Sequence, residues 1–318
     1  MQKILITRTL PDRVLDAANA RFDVTLREAD VPMTVAEAAQ ALSDYDGILP
    51  TLGDAFSADC FALTPAPRCK ILANFGVGYN HIDVSAAAKV GVFVSNTPGA
   101  VTDATADIAM TLLLMAGRRA GEGERMVRAG EWQGWGPVQN LGTHVTGKTV
   151  AILGMGRIGK AIARRCHFGF EMEVVFFNRS VVDNIGLPAV QKPTIEEAVS
   201  GADFVITAVP GSPETYHFID EDIFAAMKSS AIFVNISRGD VVDEAALIAA
   251  LQDGEIAGAG LDVYEQEPFV PEALRALDNA TLLPHLGTAA LEVREAMGMM
   301  AFENLCAVAD GNAPPNKV

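Results

Sequence analysis

The stretch Val150-Ala-Ile-Leu-Gly154-Met-Gly156-Arg-Ile-Gly159-Lys-Ala-Ile-Ala-Arg-Arg165 decides the fold. An apolar strand runs into a glycine turn and then into a helix, with Ile158, Ile162 and Ala163 at helical spacing. Gly154 allows the tight turn, Gly156 lets a pyrophosphate approach the backbone, and Gly159 lets the new helix pack closely on its strand. The helix N-terminus then offers free N–H groups and a partial positive charge to the phosphates. A second apolar strand, Val174-Val-Phe-Phe-Asn178, completes a βαβ unit. Together these features predict a dinucleotide site.

Downstream, strands are expected at Phe204–Val209, Ala231–Ser237, Gly258–Val263 and Thr281–Leu283. With the first two they make six, enough for the two halves of a doubly wound domain. Helical patterns at 195–199, 222–227 and 244–252 have crossover length. Upstream, strand patterns at 3–7, 22–26, 47–51, 69–75 and 92–96 alternate with helices at 12–20 and 35–42, which predicts a second, smaller parallel sheet. One long helix is expected from Thr102 to Ala129, apolar and rich in alanine, as core or subunit contact. The following loop holds both tryptophans, Trp132 and Trp135. A last helix, 288–310, is expected to return to the first domain, so that the dinucleotide domain is an insertion.

At 318 residues and half hydrophobic, the chain can bury two cores. A net charge of −16 argues against a grip on nucleic acid and against adhesion to anionic membranes. The start, Met1-Gln-Lys-Ile-Leu-Ile-Thr-Arg8, has no signal-peptide character, and no uncharged apolar run reaches bilayer length. Cys60, Cys69, Cys166 and Cys306 lack metal-ligand spacing and are expected as reduced, mostly buried thiols of a cytoplasmic protein, with no metal.

Three stretches at strand ends carry the chemistry. Asn235-Ile-Ser-Arg238-Gly-Asp240 puts a guanidinium past a buried strand, where binding an anion would repay its burial. Gly260-Leu-Asp262-Val-Tyr-Glu265-Gln-Glu267-Pro268 puts carboxylates past the next, and Leu283-Pro-His285-Leu-Gly287 an imidazole past the last. Such ends line the ligand crevice of open parallel sheets. Gly76-Val77-Gly78, at an equivalent end in the first domain, reads as a simple turn when taken alone.

These motifs, with Gly154-Met-Gly-Arg-Ile-Gly159 and Asn235-Ile-Ser-Arg-Gly-Asp-Val-Val-Asp243, resemble those of the D-isomer-specific 2-hydroxyacid dehydrogenases over essentially the whole chain. The resemblance implies an α/β fold of two doubly wound parallel-sheet domains. A Rossmann domain, 99–287, is inserted in a flavodoxin-like substrate domain, 1–98 plus 288–318. It implies Arg238, Glu267 and His285 as the catalytic set, with Val77 and Gly78 binding the substrate carboxylate. For the cofactor it implies Asp262 on the nicotinamide side, Thr105, Arg157 and Ile158 beside the glycines, and Val209, Pro210, Ser237 and Gly287 at other strand ends. Thr105 is thereby reassigned from core to cofactor neighbour.

Independently of the family, reducing a 2-oxo acid needs a cation for the carboxylate and carbonyl and a proton donor for the oxygen as hydride arrives. Arg238 and His285 fit those roles, with Glu267 orienting the imidazole and favouring its charged form. In the reverse direction neutral His285 accepts the hydroxyl proton.

The tryptophan loop and Ser237-Arg-Gly-Asp-Val-Val look like the glyoxylate/hydroxypyruvate reductase branch, a homodimer in which Trp135 of the neighbouring subunit lines the substrate pocket. The alternative is an aromatic buried at the dimer contact. Where NAD-preferring members carry an acid after the second strand, this chain has Asn178-Arg179-Ser180. That removes the repulsion of a 2′-phosphate and supplies a guanidinium, so NADP(H) is expected over NAD(H), which stays possible. A solvated Arg179 is the plainer reading. Two other functions stay open: a dehydrogenase of bulkier 2-oxo acids or 3-phosphoglycerate, and a dinucleotide-sensing protein like the co-repressors that resemble this family.

Overall fold

All the strands lie in two parallel sheets, built by two compact units of the chain. The computed structural model describes every residue, Met1–Val318. One unit is Met1–Val101 with Thr288–Val318 and the other is Thr102–Gly287, so the division falls after Val101 and not after residue 98.

The first unit opens with β1 (Lys3–Ile6), α1 (Asp12–Arg21), β2 (Asp23–Leu26), α2 (Val35–Asp44), β3 (Gly47–Leu49), α3 (Ala58–Leu63), β4 (Ile71–Ala73), α4 (Val84–Lys89) and β5 (Phe93–Ser95). Its order, β2-β1-β3-β4-β5, is the flavodoxin-like one. Thr34 starts α2 with a reciprocal capping box: its hydroxyl accepts from Glu37 N–H while the Glu37 carboxylate accepts from Thr34 N–H. Helices α3 and α4 were not expected, because six residues hold too few turns to show a period.

The second unit comprises α5 (Thr102–Gly117), α6 (Ala120–Ala129), β6 (Thr149–Leu153), α7 (Arg157–Phe170), β7 (Glu173–Phe177), β8 (Ala189–Gln191), α8 (Ile195–Val199), β9 (Phe204–Thr207), α9 (Glu221–Ala226), β10 (Ile232–Asn235), α10 (Glu244–Asp253), β11 (Gly258–Leu261), α11 (Glu272–Arg275) and β12 (Ala280–Leu282). The order β12-β11-β10-β9-β6-β7-β8 reverses direction between β6 and β9, the doubly wound switch point. One face packs Leu113, Ile162 and Phe176 among α5, α7 and the sheet, and the other packs Phe224, Phe233 and Leu247. Helix α12 (Leu291–Ala309) belongs to the first unit, where Gly298 lets it close on α1: a Cβ there would lie 2.4 Å from Val14 Cγ2.

Two expectations are corrected. The second sheet has seven strands and not six, because β8 adds a parallel edge beside β7. The three residues of β8, in a stretch bounded by Pro188 and Pro193, are too few to reveal a period. The helix expected from Thr102 to Ala129 is two helices, broken where Arg119 takes a left-handed backbone (φ 52°). Gly117 ends the first against the ring of Phe204, and its carbonyl accepts from Thr143 N–H at 2.7 Å.

Candidate active site

The glycine loop of the second unit has the steric character its residues imply. Gly154 has φ +100°, and a Cβ on it would sit 2.8 Å from the carbonyl group of Ala208. A Cβ on Gly159 would lie 2.1 Å from Gly154 O, so only glycine lets α7 rest on the turn. Gly156 meets nothing within 4 Å. That open cradle at the N-terminus of α7, a helix with no side-chain cap, fits a dinucleotide pyrophosphate. Arg157 and Ile158 form the first turn of α7, with Arg157 exposed and Ile158 half-buried.

Asn178, just past β7, accepts from Met155 N–H through Oδ1 (3.2 Å), tying the strand end to the glycine loop. Its amide nitrogen donates to Ser180 O (3.0 Å) and Ser180 Oγ (3.3 Å). Arg179 and Ser180 are exposed. Val209 is half-buried and Pro210 exposed beyond β9.

Past β10, Asn235 folds its side chain over its own turn: Oδ1 accepts from Ser237 N–H and Nδ2 donates to Arg238 O. Ser237 is buried, its hydroxyl donating to Thr207 O at 2.9 Å, so it bridges strand ends. Arg238 donates to Ser237 O at 2.7 Å. Burial lowers its guanidinium pKa, opposed by the charges of Glu267 and Asp240, and it stays a cation. Gly239 explains the Arg-Gly pair, since a Cβ there would lie 1.8 Å from the carbonyl carbon of Tyr264. Only glycine lets the loop after β10 lie against the loop after β11.

The segment past β11 meets the one past β12 at His285, whose Nδ1 is 2.8 Å from Glu267 Oε2. The other oxygen of Glu267 accepts from Tyr264 N–H. Burial alone would raise the Glu267 carboxyl, but its bond and charge interaction with His285, the Tyr264 N–H and the charge of Arg238 hold it below the usual range. Glu265 is not in this pair; its carboxylate faces His217 Nε2 at 3.2 Å. Asp262, 1 % exposed, accepts from Leu286 N–H (2.6 Å) and Gly287 N–H (2.7 Å), and its backbone carbonyl accepts from His285 N–H. Burial raises its carboxyl, against the pull of those two N–H groups. It thereby fixes the turn on which His285 stands with φ 54°. Thr105, on α5, donates to Gly287 O at 3.3 Å.

The remaining predicted residues are Val77, Gly78 and Trp135. Val77 and Gly78 follow β4 in the first unit, where Asn96 holds the Val77 carbonyl and Asn74 those of Gly76 and Gly78, while no hydrogen bond engages either N–H of Val77 and Gly78. Trp135 is 85 % exposed. Two side chains that no motif singled out also hold strand-end loops. His217 contacts Glu265 and, through its N–H, Asp240 O; Gln191 bonds the turn after β7. Nothing in their local sequence marks them, because their partners are distant in the chain.

Residues 110–287 match the family described as D-isomer specific 2-hydroxyacid dehydrogenase, NAD binding domain. The chain is 42% identical over 322 residues to a glyoxylate reductase of Pyrococcus furiosus, covering 99% of this chain and 95% of the relative. It is 41% identical over 326 residues to the glyoxylate reductase of Thermococcus onnurineus, again covering 99% and 95%. Its fold is similar to the NADPH-dependent glyoxylate/hydroxypyruvate reductase of Sinorhizobium meliloti solved with citrate (TM-score 0.87, 35% identity, 100% of this chain and 98% of that one). With its motifs, its two sheets and these relatives in agreement, the chain belongs to the D-isomer-specific 2-hydroxyacid dehydrogenases.

Proposed function

We propose that this enzyme reduces small 2-oxo acids, glyoxylate and hydroxypyruvate, to D-2-hydroxy acids, with NADPH preferred and NADH accepted. The observation that carries the reading is the His285–Glu267 pair, with the cationic Arg238 close enough for its charge to act on Glu267. A bound nicotinamide supplies the hydride. Held between Gly154, Gly156 and the first turn of α7, the dinucleotide would have its ribose near Asn178, Arg179 and Ser180, with Thr105, Val209, Pro210, Ser237, Asp262 and Gly287 along its course.

Arg238 holds the substrate carboxylate and polarises the carbonyl with one planar fork. Because Glu267 engages Nδ1 of His285, Nε2 is the nitrogen that gives the proton to the carbonyl oxygen, and in the reverse direction takes it back. Asp262 keeps the His285 turn in place and Glu267 fixes the ring. The roles of Val77 and Gly78 as donors to the substrate carboxylate rest on the resemblance, supported by their unengaged N–H groups.

The enzyme acts as a homodimer. Support comes from α6, which buries none of its residues, and from the exposed Trp132, Trp135, Val138 and Leu141 after it. Trp135 of the second subunit lines the substrate pocket. Four free thiols fit a cytoplasmic setting, and no helix is long and apolar enough to cross a membrane.

The test is NADPH oxidation with glyoxylate, hydroxypyruvate, pyruvate and bulkier 2-oxo acids, in parallel with NADH. Turnover highest with the two small acids and with NADPH is expected. Dinucleotide binding with no turnover of any 2-oxo acid would favour a sensing protein instead.

A further inference from the structure

We infer that Gln191, on the edge strand β8, is a specificity-positioning residue that holds the Arg179–Ser180 turn in the form that receives the 2′-phosphate of NADPH. The inference rests on the NADPH reading above.

One side-chain amide satisfies three backbone groups of this turn. Gln191 Nε2 donates to Asn178 O (3.2 Å) and Ser180 O (2.9 Å), while Oε1 accepts from Val182 N–H (3.1 Å). The orientation is set by chemistry, since the nitrogen faces two carbonyls and the oxygen faces an N–H. Asn178 completes the frame from the other side, reaching Met155 N–H of the glycine loop and Ser180. The register Phe176↔Gln191 between β7 and β8 brings Gln191 beside the end of β7. The turn is therefore tied both to the pyrophosphate loop and to the edge strand.

Such a frame matters because the tip of the turn, Arg179 to Val181, is exposed. Fixing a backbone residue costs conformational entropy, and a turn ordered before binding does not lose it on binding. Within it, the two phosphate-seeking groups are uncommitted. The Arg179 guanidinium makes no hydrogen bond or ion pair within the chain, and its charge is felt only weakly at exposed Glu214, whose carboxyl is lowered chiefly by its bond with Ser212. Ser180 Oγ accepts from Asn178, which leaves its own O–H proton to donate to a phosphate oxygen. Gln191 hydrogen-bonds backbone groups and neither group's side chain, so it acts through the backbone that carries them.

Calorimetric titration of the full chain with NADPH, NADH, 2′,5′-ADP and 5′-AMP tests this without turnover. Gln191→Ala is expected to weaken NADPH and 2′,5′-ADP about tenfold, equivalent to ~1.4 kcal/mol, and to leave NADH and 5′-AMP within about twofold. Gln191→Glu keeps the size and the acceptor for Val182 but loses both donors, so it is expected to show the same pattern and serves if the alanine variant does not fold. In an Arg179→Ala background, Gln191→Ala is expected to change NADPH affinity less than about twofold, because its effect passes through Arg179. Equal losses for NADPH and NADH, or no loss for either, overturn the inference. Discrimination lost in Arg179→Ala but kept in both Gln191 variants overturns this inference alone. A wild-type protein that binds NADPH and NADH alike overturns the NADPH reading and this inference with it.

Discussion

Nδ1 of His285 and Oε2 of Glu267 lie 2.8 Å apart, which commits one imidazole nitrogen and leaves Nε2 as the proton donor of the proposed reaction. His285→Ala is expected to lower kcat by ~10²–10⁴-fold, the usual contribution of a general acid. NADPH affinity, measured by titration, is expected to stay within about twofold because the proposed phosphate cradle is the glycine loop at the start of α7 and not the imidazole. Near wild-type turnover in this variant would remove His285 from the mechanism.

The lowered Glu267 carboxyl sets a pH dependence of stability. Above the unfolded value, ~4.3 for an ordinary glutamate, both states are ionised and the stabilisation is fully present. As pH falls the unfolded chain takes the proton first, and the stabilisation is lost as pH passes down through the lower folded value. The stability gap between wild type and Glu267→Gln, from urea unfolding, is therefore expected to hold between about pH 5 and 6 and to shrink below about pH 4. A gap unchanged down to about pH 3 would show an unperturbed carboxyl.

Arg238→Lys keeps the charge and loses the planar fork. A drop in kcat/KM of at least about 10²-fold is expected, comparable to removing an oxyanion donor. If steady-state kinetics with glyoxylate return a value close to wild type, two-pronged recognition is the wrong account.

Arg179→Ala is expected to weaken NADPH by at least about tenfold, since a charged hydrogen bond is worth ~1.5–3 kcal/mol. NADH should change by less than about twofold, as it lacks the phosphate. Parallel binding titrations decide it, and equal losses would make Arg179 a solvated surface residue.

Gly156 and Gly159 separate binding from folding. A methyl group on Gly156 meets open space at φ −76°, so Gly156→Ala should fold with stability within about 1 kcal/mol of wild type while losing NADPH affinity where the pyrophosphate must approach. A Cβ on Gly159, 2.1 Å from Gly154 O, has no such space, and Gly159→Ala should lose about 3 kcal/mol or more in thermal or urea unfolding. A Gly156→Ala protein that binds NADPH normally would move the pyrophosphate away from this loop.

The amino-acid sequence by itself determined the two parallel sheets, the glycine turn and the strand-end positions of Arg238, Glu267 and His285. Those features are local: a strand needs a short apolar run, a helix a period, and a crowded turn a residue without Cβ. Only the tertiary structure decided the rest. The break at Arg119 accompanies the packing of Gly117 against Phe204, and β8 exists because β7 offers an unpaired edge to three residues that carry no pattern. Glu267 pairs with His285 while Glu265, two residues earlier, faces His217, and Gln191 reaches back to Asn178 and Ser180. Residue type gives a side chain its chemistry, but its partner is whatever distant segment the packed sheet brings within hydrogen-bonding distance.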